Sequence, residues 1–155
     1  EILSGLVGSE MCIRDRLKET GWTFGSHTWG HIRLDSRPLE SVQRDTVRWA
    51  EEVGSLVGPT NILFYPHGGR PDGDDWHSTG PVFQYLQSQG FRIFASVGIN
   101  SFSYIKKDIS AVICDRLHPD GTTLRNGKAL EWYSQFYDAR EIIDLDVRPD
   151  LGVTW

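Results

Sequence analysis

The chain has few cysteines, a single methionine, no long hydrophobic run and no excess of basic residues. Its 2 cysteines in 155 residues are too few for a disulfide-rich scaffold, and they leave the redox compartment open. The longest apolar runs, such as residues 62–65, are far shorter than the ~20 residues needed to cross a bilayer. The sequence therefore predicts no membrane span.

The charge balance argues against a partner recognised through its phosphates. The chain carries 16 Lys and Arg residues against 21 Asp and Glu residues, a formal net charge of -5. A protein that binds nucleic acid mainly through phosphate contacts needs a basic surface, so we predict no nucleic-acid partner. A hydrophobic fraction of 39% is enough for one packed core, and 155 residues are too few for two ordinary domains.

The N-terminal segment 1–16 is predicted to be foreign to the natural protein. Residues 6–15, LVGSEMCIRD, have a codon choice that resembles a transposase sequencing adapter. We therefore expect residues 1–16 to be a non-native, adapter-derived segment and residues 17–155 to form one partial domain. The natural N-terminus is then unknown, and the compartment stays open. An export signal upstream would direct the protein to the cell envelope or beyond it, and without one the protein would stay in the cytoplasm.

Turn residues separate short apolar segments along the rest of the chain, an alternation typical of an α/β fold. Helices are expected after an N-cap at Asp35 or Ser36, ending at Gly58, and around Phe83, ending at Gly90. Four strands or extended segments are expected, at residues 22–26, 62–65, 91–97 and 109–114. Since polar residues follow the strand ends, a barrel or a doubly wound sheet with its site on the loops is expected.

Two histidines follow the first expected strand. The segment His27-Thr28-Trp29-Gly30-His31 places two imidazoles four residues apart, so one helical turn or a tight loop brings both onto one metal ion. A catalytic zinc normally takes three protein ligands, and the third must come from elsewhere. The spacing alone is weakly specific and leaves a structural role for both histidines open, while the lack of an H-E-x-x-H glutamate argues against a zincin-type protease.

The segment GWTFGSHTWGH at residues 21–31 resembles the histidine motif of the polysaccharide deacetylases, carbohydrate esterases with a NodB homology domain. Residues 64–68, FYPHG, resemble that family's next motif, in which a backbone N–H after the proline helps to bind the oxyanion. His67 stands at the aromatic position of that motif. The likeness covers most of residues 17–155, since it continues in order through residues 90–94 and more loosely through residues 115–121, 136–138 and 148–149.

This resemblance implies an incomplete (β/α) barrel and the metal-dependent removal of N-acetyl groups from a polysaccharide or an amino sugar. His27 and His31 would hold a divalent metal, zinc, and the backbone N–H of His67 would stabilise the oxyanion. Apart from the resemblance, Asp115 and Arg116 are expected to form an ion pair, which either orients the site or has a structural role. Substrate contacts are expected from side chains near the loops, namely Trp29, Tyr65, Pro66, Arg70, Trp76 and Arg116.

The sequence also departs from the family pattern. The opening motif Thr-Phe-Asp-Asp-Gly, which supplies the catalytic base and the third metal ligand in this family, occurs nowhere in the chain. Its expected place lies upstream of Trp22, so Asp74 and Asp75 do not replace it by position. His118 follows Leu117 outside the context of the family's catalytic acid. The resemblance therefore predicts an N-terminally truncated, inactive fragment that lacks its third metal ligand.

Two further functions stay open at this stage. A non-catalytic carbohydrate-binding or structural barrel module would keep the fold without hydrolysis, because a fold does not imply an activity. A metal-dependent hydrolase of another amide or ester would keep His27 and His31 and accept a different substrate. Loop shape determines which acetylated polymer binds, so the sequence leaves the substrate and the oligomeric state open.

Overall fold

The computed structural model describes residues 13–73, 79–98, 104–106, 110–116 and 131–135. Within these residues the chain combines helices with a four-stranded, largely parallel sheet. The α/β class expected from the sequence is therefore confirmed. The closure of this sheet into a barrel stays a prediction.

The carboxyl ends of the parallel strands lie at the same end of the sheet. Its strands are β1 (Ile62–Phe64), β2 (Ile93–Val97), β3 (Tyr104–Lys106) and β4 (Ala111–Arg116), in the order β1-β2-β4-β3. The pairs β1–β2 and β2–β4 are parallel, and β3 runs antiparallel to β4. The carboxyl ends of β1, β2 and β4 therefore lie on the same side of the sheet, where ligand sites of parallel sheets form.

The strand predicted at residues 22–26 is reduced to one bridge. Ser26 pairs in parallel with Leu63, donating its N–H to Ile62 and accepting from the N–H of Phe64. The preceding residues carry no strand pairing, and Trp22 is largely exposed. A strand needs a partner along its length, and this segment has one only at its last residue, so the prediction was wrong in extent.

The helix expected after Asp35 or Ser36 is present with a different N-cap, and a short helix precedes it. Residues 13–19 form helix α1, which Gly21 ends at a φ of +86°. Helix α2 (Leu39–Trp49) has Pro38 as its N-cap and no side-chain cap. The predicted cap at Asp35 or Ser36 is therefore wrong. Asp35 instead accepts a hydrogen bond from the Arg33 guanidinium.

The chain stays helical beyond α2 and then returns to the sheet. A π-helical segment (Ala50–Gly54) and one closing turn (Ser55–Val57) extend the helix to Gly58, whose φ is +93°. The predicted stop at Gly58 is thus confirmed. Helix α3 (Pro81–Ser88) matches the second predicted helix.

The core lies between the sheet and the helices α2 and α3. Its buried members come from both helices and from three of the strands, together with residues next to them: Leu34, Val42, Leu63, Tyr65, Val82, Phe83, Leu86, Phe91, Phe94, Ala111 and Ile113. Burial of this apolar surface is the main stabilising term. Among the described residues there is no helix with the length and apolar character of a membrane span.

Candidate functional site

Three histidine rings lie side by side beyond the carboxyl end of β1. The ring centroids of His27 and His31 are 4.9 Å apart, and those of His31 and His67 are 4.4 Å apart. His27 follows Ser26, which is paired beside β1, and His67 belongs to the turn that follows β1. The fold therefore brings together the two histidines expected to share a metal and adds the ring of a third.

The ring of His27 has a defined orientation. Its Nδ1 lies 2.9 Å from the carbonyl oxygen of Phe64. A carbonyl only accepts hydrogen bonds, so Nδ1 carries the proton and the neutral ring keeps a lone pair on Nε2. Metal-binding histidines are commonly held in this way by a backbone carbonyl.

Burial lowers the pKa of His27 below its usual value. The hydrogen bond to the Phe64 carbonyl opposes this shift, while the positive charge of Arg116 and the neighbouring rings of His31 and His67 add to it. The net effect favours the neutral imidazole, which is the form that binds a metal.

The loop between the first two histidines is irregular and strained. Thr28 and His31 have φ values of +60° and +51°, in the left-handed region that side chains seldom adopt. The loop is held by Asp45 of α2, whose carboxylate accepts hydrogen bonds from the N–H groups of Trp29 at 2.9 Å and Gly30 at 2.7 Å. A single carboxylate thus fixes the chain between the two imidazoles.

Sequence reasoning missed Asp45. This residue is only 9% exposed and shares the buried face of α2 with Val42 and Trp49. An acidic residue three positions after Val42 and four before Trp49 interrupts the apolar face of an amphipathic helix. That interruption is the signal that could have marked it, because a buried carboxylate needs hydrogen-bond donors.

The turn after β1 presents the third histidine. His67 has a φ of +55° and Gly68 a φ of +68°, and the Gly68 N–H bonds to the Tyr65 carbonyl at 3.3 Å. The hydroxyl of Ser96, on β2, donates to the Gly68 carbonyl at 3.1 Å. No acceptor for the N–H of His67 occurs among the described residues, so that donor is available to a ligand.

Two of the predicted substrate contacts lie inside the core. Tyr65 is 0% exposed, its ring centroid is 6.2 Å from that of Phe94, and Pro66 is buried beside it. The structure places Tyr65 beneath the turn rather than on a surface open to a sugar. Both residues support the turn that carries His67.

The predicted basic contacts lie at the ends of the strands. Arg70 pairs with Asp115, with a distance of 3.3 Å between Nη2 of Arg70 and Oδ1 of Asp115. The partner of Asp115 is therefore Arg70, and the expected pair with Arg116 does not form. Arg116 lies over the ring of Phe64 at 5.8 Å, and its buried Nε has no hydrogen-bond partner among the described residues.

Trp29 lies beside the histidines but is partly covered. The guanidinium of Arg48 stands 3.5 Å from its ring centroid, and its indole N–H donates to Glu52 at 2.7 Å. The ring is 40% exposed, so part of it is open to a ligand. Trp76, the other predicted tryptophan contact, lies outside the described residues.

The spacing of the His27 and His31 rings can be compared with that of two imidazoles on one zinc ion. With a Zn–N bond of about 2.0–2.1 Å, two imidazoles on one tetrahedral ion have centroids roughly 5 Å apart. The separation of His27 and His31 agrees with that value. In the part of the chain that the structure describes, no group of three His, Cys, Asp or Glu side chains is placed to hold a metal ion.

Comparison with known proteins identifies one family. The family model described as polysaccharide deacetylase matches residues 2–92. This range contains all three histidines of the site and the helix that carries Asp45. No curated protein and no solved structure matches the chain significantly.

Proposed function

Because the chain belongs to the polysaccharide deacetylase family, we propose that it carries the metal-binding part of an enzyme that removes N-acetyl groups from a polysaccharide or an amino sugar. The family's chemistry makes it a deacetylase-type hydrolase that acts on carbohydrate. The observation that carries the finer proposal is the adjacency of the His27 and His31 rings, with Nε2 of His27 left free. A (β/α) barrel that contains β1, β2 and β4 as neighbouring strands is part of the same proposal.

His27 and His31 would hold a divalent metal, and zinc suits their two imidazole nitrogens. Such an ion supplies Lewis-acid polarisation of the acetamide carbonyl. Phe64 keeps the His27 ring in the required tautomer through its carbonyl, and Asp45 keeps the intervening loop in place. The lowered pKa of His27 keeps its ring neutral at neutral pH.

The N–H of His67 would donate to the oxyanion that develops when the acetamide carbonyl is attacked. This donor has no acceptor among the described residues, and the Ser96 hydroxyl fixes the turn that carries it. A donor held in place before the reaction stabilises developing charge without reorganisation. The positive charge of Arg116, close enough to lower the pKa of His27, acts in the same direction.

The base and the third metal ligand have no assigned residue in this chain. The Thr-Phe-Asp-Asp-Gly string is absent from its sequence. We therefore infer that the chain by itself binds the metal weakly and hydrolyses little. Metal binding is for this reason a better test of the site than turnover.

The test is zinc titration by calorimetry of the whole chain and of the variants His27→Ala and His31→Ala. We expect weak binding of one zinc ion that either substitution abolishes. The variant Cys114→Ser is the matched control, since that half-buried thiol lies on β4 and is not part of the histidine site. Zinc binding that survives both histidine substitutions, or no binding at all, would overturn the proposal and favour a non-catalytic carbohydrate-binding module.

A further inference from the structure

A groove beside the histidines carries a cluster of arginines. Helix α2 and the loop of residues 27–31 border a groove of about 560 Å³, a volume typical of small-ligand sites. Its lining includes Trp29, Gly30, Arg37, Arg44, Asp45 and Arg48. Since Trp29 and Gly30 lie between His27 and His31 in the chain, the groove adjoins the candidate metal site.

The arginines share one side of α2. Ser41, Arg44 and Arg48 recur at intervals of three and four residues and so lie on one face of the helix. Arg37 comes just before the Pro38 N-cap and lines the same groove. Three guanidinium groups thus border one groove in a chain whose formal net charge is -5.

Two of these guanidinium groups have no carboxylate partner in the described part of the chain. Arg48 forms an ion pair with Glu52 at 2.7 Å, and Asp45 uses its two oxygens for main-chain N–H groups. Arg44 donates to the Ser41 hydroxyl at 3.2 Å. No ion pair is formed by Arg37 within the described residues. The groove is thus lined by three guanidinium groups and one carboxylate, and Arg37 and Arg44 form no ion pair within the described residues.

We propose that this groove binds an anionic group, a carboxylate or a phosphate, on the glycan whose acetamide lies at the histidines. Guanidinium groups match both anions through paired hydrogen bonds, and the ring of Trp29 offers apolar surface for the adjoining sugar. This inference rests on the proposed function and narrows its substrate class. The preferred substrate is an acidic glycan rather than a neutral one.

The test uses three tetrasaccharides with one backbone: the neutral N-acetylglucosamine tetramer, its carboxymethyl derivative and its phosphate ester. Each is titrated calorimetrically into the whole chain with zinc present, at low and at high salt. We expect both charged ligands to bind about tenfold more tightly than the neutral one at low salt, since hydrogen bonds to charged groups are the stronger kind. High salt should reduce this advantage. Tighter binding of only one charged ligand would identify the anion and support the proposal.

Charge-reversal variants test whether the groove is responsible. The double variant Arg37→Glu/Arg44→Glu should lose the preference for charged ligands. The double variant Arg16→Glu/Lys18→Glu is the matched control, because it makes the same change of net charge at exposed positions of α1. Circular dichroism would verify that both variants are folded. Equal loss in both variants would attribute the preference to overall charge and overturn the proposal.

Failure of this inference is distinguishable from failure of the proposed function. If zinc binds at the histidines and charged and neutral ligands bind with equal affinity, the proposal that the groove binds an anion is overturned. The deacetylase proposal is then unaffected. Absence of both zinc and glycan binding would overturn both. A charge preference that depends on Arg37 and Arg44 without zinc binding would support anion binding in the groove, and it would overturn the deacetylase proposal and with it the placement of an acetamide at the histidines.

Discussion

The two loops that carry the histidines are held in different ways. The loop of residues 27–31 is tied to α2 by the carboxylate of Asp45. The turn of residues 65–69 rests on Tyr65 and Pro66, both buried, and on a hydrogen bond from Ser96 of β2. One loop thus depends on a polar anchor and the other on the hydrophobic core.

Because the two loops are held differently, substitutions in them should affect ligand binding and stability to different degrees. The loop of residues 27–31 can lose its geometry while the core stays packed, because the Asp45 carboxylate that holds it is not a member of the apolar cluster. The turn after β1 cannot change its conformation without disturbing residues of the core. Substitutions that release the loop before His31 should therefore affect metal binding as well as folding, and substitutions beneath His67 should affect mainly folding.

The largest expected effect is a loss of stability from Phe94→Ala. Phe94 is 0% exposed, and its ring packs against Phe83 at a centroid distance of 4.7 Å. Removing such a ring costs about 3–5 kcal/mol of unfolding free energy, measurable by urea denaturation. Val97→Ala on the same strand is the control, since Val97 is 39% exposed and should lose much less. Similar losses in the two variants would contradict the assignment of this core.

A smaller loss of stability with a clear loss of metal binding is expected for Asp45→Asn. The amide keeps one acceptor oxygen and places an NH2 group against a backbone N–H. We expect a stability loss of about 1.5–3 kcal/mol. Zinc affinity should fall roughly tenfold because the loop between the ligands is released. Glu40→Gln, at an exposed acid in the first turn of the same helix, should cost less than about 1 kcal/mol and leave zinc affinity unchanged. Unchanged zinc affinity in Asp45→Asn would remove the contrast between the two loops.

A modest coupling is expected between Arg70 and Asp115. Their side chains are 29% and 16% exposed, so solvent screens the pair only in part. A double-mutant cycle with Arg70→Gln and Asp115→Asn should give a coupling of about 0.5–1 kcal/mol that decreases in high salt. Additive effects of the two substitutions would show that the pair does not stabilise the turn after β1.

The smallest expected effect is on the pH dependence of stability. The pKa of His27 is lower in the folded chain, so as pH falls the unfolded chain takes up this proton first. Stability is therefore lost progressively below about pH 6.5, the usual pKa of histidine, until the folded-state pKa is passed. In urea denaturation between about pH 5 and pH 8, His27→Gln should have a shallower acid slope than the unsubstituted chain. Parallel slopes would be evidence against the burial of His27.

Much of the fold follows from local patterns in the sequence. Val82, Phe83 and Leu86 are spaced as on one helix face, and all three are buried in α3. The strand expected at residues 22–26 failed because strand pairing depends on a distant partner, which here reaches only Ser26. A local pattern identifies an apolar face, and the neighbouring strand decides whether pairing forms.

The site was predictable in part for the same reason. The spacing of His27 and His31 anticipated that their rings would be adjacent, because both belong to one short loop. The ring of His67 joins them only through the parallel pairing that places two strand ends together. The anchoring role of Asp45 depends on the packing of α2 against the loop, which residue spacing does not reveal.

Thr28, His31 and His67 have left-handed backbone conformations, which lower stability at positions in or next to the candidate site. Each such residue costs about 1–3 kcal/mol, and glycine would relieve this strain at no steric penalty. A laboratory selection that rewards only a higher melting temperature would therefore favour glycine at all three positions. Two imidazoles would be lost in the process, so thermostabilised descendants of this chain would lose metal affinity as they gained heat resistance.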